Sequence, residues 1–100
     1  LIVVKMIKAS NFLNGEDWKG LNGNDLYVSM LRNKTYVDIK ENQLDVLIDY
    51  LENNILGLCY VDREKVYGYF KVYVYFENPV DRDNYIATCN TILGLNKIKT

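Results

Sequence analysis

A chain of 100 residues is the size of one domain, with room for one core and one functional surface. Apolar residues make up 49% and charged residues 25%, with a net charge of −1; this excludes a wholly disordered chain and an all-over basic grip on nucleic acid. Histidine is absent, so serine and cysteine nucleophiles lack their usual base, and Cys59 and Cys89 by themselves cannot complete a zinc site.

Leu1 to Lys8 opens with β-branched residues and reads as a strand. Its uninterrupted apolar run, Leu1 to Val4, is far below the roughly 20 residues of a membrane crossing. No export signal is legible, which sets a cytoplasmic expectation and makes the cysteines buried thiols rather than a disulfide. Ala9 to Asn24 gathers Asn14-Gly15, Gly20 and Asn22-Gly23 around Trp18 and reads as a long loop. From Asp25, Leu26, Val28 and Met30 alternate with Tyr27, Ser29 and Leu31, and Tyr36 and Asp38 alternate with Val37 and Ile39. With a turn at Asn33-Lys34, this predicts a hairpin.

Asn42 caps a predicted helix with Asp45 in its first turn and Leu44, Leu47, Ile48 and Leu51 at helical spacing. Ile55 to Val61 is a strand, Asp62 to Lys65 a polar turn, and Val66 to Phe76 the longest strand. Asn78-Pro79 starts a second helix with Ile86, Cys89 and Leu93 on its buried stripe and Gly94 at its exit. Leu95 to Lys99 returns as a last strand. Residues 1–100 thus form a single domain, with 1–24 an N-terminal strand and Gly/Asn-rich loop and 25–100 an α+β core. From Thr35 the order is that of a ferredoxin-like split βαββαβ sheet, with two helices on one face and an extra N-terminal strand and hairpin.

The longest strand divides by period two. Val66, Gly68, Phe70, Val72, Val74 and Phe76 face the helices, while Tyr67, Tyr69, Lys71, Tyr73 and Tyr75 face away. Register adds Tyr27, Tyr36 and Tyr60 to that second face, which places seven of the nine tyrosines on one side. Residues 1–24, with Trp18, folding back over the sheet would explain them; so would a protein interface or the stacking of unpaired bases. Strand and turn residues from Arg32 to Lys40 and from Tyr60 to Phe76 carry an expected net charge of +3, and the helices −6.

Tyr73-Val74-Tyr75-Phe76-Glu77-Asn78-Pro79-Val80-Asp81 resembles the end of the third strand and the start of the second helix of RNA-recognition-motif domains. Thr35-Tyr36-Val37 resembles their first-strand hexapeptide. The resemblance covers residues 35–99 and implies a ferredoxin-like fold with Tyr36 and Tyr73 as base-stacking aromatics. The chain departs from the octapeptide at Tyr69, Phe70 and Lys71, and lacks the hexapeptide's closing Asn-Leu.

Gly15 to Gly20 has phosphate-loop glycine spacing, but Leu21-Asn22 stand where Lys-Ser/Thr is required. Asp45, Asp49 and Glu52 read as a solvated helix face. Glu16, Asp17 and Asp25 lack calcium-loop spacing. The expectation is therefore a non-enzymatic binding protein with no catalytic residue, metal, cofactor or membrane association. Its composition fits an AT-rich genome, and a regulator or inhibitor from a phage or other mobile element. Its binding residues are Tyr36, Tyr67, Tyr69, Lys71, Tyr73 and Tyr75, and its partner another protein or a second copy. The alternative is single-stranded nucleic acid stacked on Tyr36 and Tyr73, with Arg32 and Lys34 near its phosphates.

Overall fold

The protein is described by a computed structural model over residues 12–92. The predicted strands at Leu1 to Lys8 and Leu95 to Lys99 lie outside the described residues. Within them the order is helix α1 (Gly15–Gly20), helix α2 (Asp25–Arg32), strand β1 (Lys34–Lys40), a 3-10 turn (Glu41–Gln43), helix α3 (Leu44–Asn54), strands β2 (Cys59–Val66) and β3 (Tyr69–Phe76), and helix α4 (Pro79–Ile92).

The three strands form an antiparallel sheet in the order β1-β3-β2. Both outer strands run antiparallel to β3, so β1 and β2 are parallel to each other with β3 between them. Helices α3 and α4 pack on one face. The core joins Leu44, Leu47 and Leu51 of α3, Tyr85 and Cys89 of α4, and Val37, Ile39, Cys59, Val72, Val74 and Phe76 of the sheet. Each of the buried valine, leucine, isoleucine and phenylalanine side chains among them contributes on the order of 1.5–3 kcal/mol by leaving water.

Local chemistry sets the element ends. The Asn78 side chain accepts from Val80 N at 2.8 Å and Pro79 takes the first helical position, so α4 starts where the sequence predicts. Asn42 does not cap α3: it sits inside the 3-10 turn, and Gln43 Oε1 accepts from Lys40 N at 3.0 Å instead.

Three expectations are corrected. Residues 25–32 are not a hairpin arm but helix α2, capped by Asn24, whose side chain accepts from Leu26 N at 2.9 Å. Leu26, Tyr27 and Met30 turn inward while Val28 and Leu31 stay exposed, a helical division that six near-continuous apolar residues also permit as a strand. The long loop contains α1, capped by Asn14, which accepts from Asp17 N at 2.8 Å. The β2–β3 turn is not Asp62 to Lys65 but Tyr67-Gly68, where Gly68 has φ +84°, a backbone conformation suited to glycine. Asp62, Arg63, Glu64 and Lys65 are instead the outer half of β2, exposed on both faces. A run of charge there discourages another strand from pairing with the edge.

The segment between α3 and β2 is held by carboxylates. Asp81, 1% exposed, accepts from Leu56 N at 3.2 Å to each oxygen and from Gly57 N at 2.9 Å. Glu77 Oε1 accepts from Leu58 N at 2.9 Å. Replacing Asp81 by Ala strands two backbone donors and is expected to cost about 2–4 kcal/mol. Asp81→Asn, which keeps one acceptor, should recover part of that loss; urea denaturation midpoints measure both.

Candidate binding face

The second face of the sheet follows from β3. With Phe70, Val72, Val74 and Phe76 turned to the core, period two turns Tyr69, Lys71, Tyr73 and Tyr75 the other way. Register completes the rows across β1, β3 and β2: Lys34, Tyr75 and Tyr60; Tyr36, Tyr73 and Asp62; Asp38, Lys71 and Glu64; Lys40, Tyr69 and Val66. Tyr36, Tyr60, Tyr69, Lys71, Tyr73 and Tyr75 are partly exposed. Tyr67 is not on this face; it is fully solvent-exposed (101%) at the hairpin tip, because the turn falls there.

Tyr36 and Tyr73 are brought together. Their rings stack at 4.8 Å with a 30° interplanar angle, and Lys34 Nζ lies 4.9 Å from the Tyr73 ring centre and 5.6 Å from that of Tyr75. Such an ammonium is attracted by the electron-rich ring face. Arg32 is exposed near the end of α2.

One end of the face is covered. Trp18 stacks on Tyr60 at 4.6 Å and 6°, and its ring lies 4.7 Å from that of Tyr75 and 4.9 Å from that of Tyr27. Tyr27 therefore meets this face from α2 rather than from a strand. The sequence carried Trp18 as a candidate cover, but not the helix that positions it; Asn14 three residues before Asp17 was the available signal.

The face is not basic. Lys34, Lys40 and Lys71 stand among Asp38, Asp62 and Glu64, so its strand charges balance. Arg63 and Lys65, counted towards the expected +3, fall on the helix side by period two, and Lys65 Nζ meets Glu41 Oε1 there at 3.2 Å.

On the helix side of β2 an open cleft of about 290 Å³ is lined by Phe12, Leu13, Ile48, Glu52, Val61 and Arg63. No group of three or more metal-ligating side chains occurs among the described residues, and none of their helices is long and apolar enough to cross a membrane. Cys59 and Cys89 are free and buried. Burial is the main cause that pushes their thiols up, Cys59 to about 12 and Cys89 to about 11. Comparison with protein-family models, with curated proteins and with solved structures finds no match to this chain.

Two measurements follow. Neither thiol should react with a thiol reagent at neutral pH in the native protein, and both should react in urea, since only the thiolate attacks. The Tyr36 hydroxyl donates to Asp38 Oδ1, and this hydrogen bond, aided by burial and the Asp38 charge, raises its pKa to about 12. Asp38→Asn should return it towards about 10, read as phenolate absorbance with Tyr36→Phe as the reference. The folded value is the raised one, so its contribution to stability is full below the unfolded pKa and lost as pH rises through about 12.

Proposed function

We propose that this chain is a non-enzymatic protein-interaction module, a small regulator or inhibitor, that docks a protein partner on the open rows of its tyrosine face. The observation that carries this reading is charge balance on an aromatic surface: Tyr36, Tyr69 and Tyr73 stand among three lysines and three carboxylates. Partly exposed tyrosines offer a protein both an apolar ring and a polar tip. A phosphate backbone gains most from a surface with excess positive charge. The fold reading that accompanies it is the ferredoxin-like split sheet. The β1-β3-β2 order, with parallel outer strands, supports this reading.

A second reading, kinship with RNA-recognition-motif domains, is favoured by one observation. Tyr36 and Tyr73, its two stacking positions, are directly paired across β1 and β3. It assigns the same face to single-stranded nucleic acid.

Two assays separate the readings. Sedimentation over a concentration series, and affinity capture from a lysate, should each be run with the native chain and with the Tyr36→Ala/Tyr73→Ala double variant. Self-association or a specific captured protein is expected with the native chain and lost, at least tenfold, with the variant. Fluorescence anisotropy with random-sequence single-stranded DNA and RNA is expected to show no salt-dependent binding. Binding that weakens steeply with salt and disappears in Tyr73→Ala would transfer the face to nucleic acid.

A further inference from the structure

Helix α1 is held differently from every other helix described. It has six residues, none of them buried, and a helix this short has no stability of its own in water. Its neighbours in the chain are fixed. On one side Leu13 N donates to Cys59 O at 2.9 Å, and Phe12 bridges Cys59. On the other, α2 is anchored by fully buried Met30, and Ser29 Oγ and Asn33 Nδ2 donate to Glu77 O at 3.4 and 3.3 Å. The Asn33 carboxamide oxygen in turn accepts from Arg82 Nη1 at 3.1 Å. Between α1 and α2 lies Gly23, at φ +82° with open space around it. Thus α1 is a strap pinned at both ends, with one partly buried ring, Trp18, as its aromatic contact with the sheet.

That ring lies in a slot made of Tyr27, Tyr60 and Tyr75, stacked flat on Tyr60 and tilted against the other two. Tyr75 is also continuous with the open rows: it is two residues from Tyr73 on the same face of β3, and Lys34 lies over both rings.

We propose that α1 is a releasable cover, and that Trp18 is an internal occupant of the slot which exchanges with an aromatic side chain of the docked protein. The proposal rests on the tyrosine face being a protein-docking surface, and specifies how that surface is regulated. With Trp18 in place the partner meets Tyr36, Tyr69 and Tyr73. With Trp18 released the same face gains Tyr60 and Tyr75 and offers a continuous aromatic surface. A flat group is the fitting replacement, because the slot already holds an indole stacked within 6° of a tyrosine plane. Release leaves the helix-side core intact, since no residue of α1 belongs to it.

Trp18 is the single tryptophan, so its fluorescence reports the strap alone while circular dichroism reports the sheet and helices. In urea, Trp18 emission should shift towards its solvent-exposed value before circular dichroism is lost, with an opening constant at least 100-fold larger than that of global unfolding. Coincident transitions would overturn the proposal, because the strap would then be part of the cooperative fold. A Trp18→Ala variant should keep a cooperative circular-dichroism transition and bind indole saturably, with ring-proton shifts at Tyr60 and Tyr75. The native chain should bind indole at least tenfold more weakly. A variant that does not fold, or that binds indole no better than the native chain, would also overturn it. None of these readouts requires the partner. A strap that opens in a protein that captures no partner would therefore reject the docking reading and leave the release of Trp18 standing.

Discussion

The structure depends on the two-sidedness of β3. As the central strand of three, β3 has hydrogen-bonded neighbours along its whole length, so its side chains have only the two faces to occupy. Phe70, Val72, Val74 and Phe76 go one way and Tyr69, Lys71, Tyr73 and Tyr75 the other, and a one-residue slip would exchange the sets. Burying the tyrosine set under α3 and α4 would strand several hydroxyls away from water, at a cost of roughly 1–3 kcal/mol each. The aliphatic and phenylalanine set has no such cost. The cost of burying hydroxyls therefore adds to hydrophobic area in orienting the sheet, and among the described residues the core takes in only one fully buried tyrosine, Tyr85 of α4.

The same logic governs which parts of the fold were legible. Where amphipathic period and burial coincide, as in β3 and α3, sequence spacing located the elements and their inward residues. In α4 it found Cys89 but missed the fully buried Tyr85, expected Ile86 where burial is partial, and named Leu93, which lies outside the described residues. Asn78-Pro79 is legible because a capping side chain and a ring-fixed φ act together. Asparagine alone is ambiguous. Asn14 and Asn24 sit beside glycine or aspartate and read as turn residues, yet each caps a helix, because the side-chain oxygen that closes a turn also accepts from a helix N-terminus. The run from Leu26 to Leu31 is mostly apolar, and only tertiary packing selects helix over strand for so short a piece.

Charge misled at Asp62 to Lys65. Four consecutive charged residues resemble a turn when polarity is the guide, but an outer strand beyond the reach of the helices is solvated on both faces and can carry them. The true turn was marked by a single glycine. Moving it by a few residues leaves Tyr60 on the tyrosine face by parity, and takes Tyr67 off it to the tip. Most of the candidate face was thus legible from β3 alone, whereas its electrostatics were not. Summing the charge of whole strands merges two faces, and register sends Arg63 and Lys65 to the far side.

Row by row, the face is graded. Next to Trp18 lie rings; in the middle Lys71 stands between Asp38 and Glu64; at the far end Tyr69 stands between Lys40 and Val66. On the docking reading, a central cation flanked by two carboxylates favours one register, because a complementary charge pattern displaced by one row loses its ion pairs. The hydrogen bond from Tyr36 to Asp38 ties one of those carboxylates to one of the stacked rings, which on the docking reading lowers the rotamer freedom lost on binding. On the docking reading proposed above, aromatic area is the source of affinity and the charged middle row the source of register, both on the face turned away from the core.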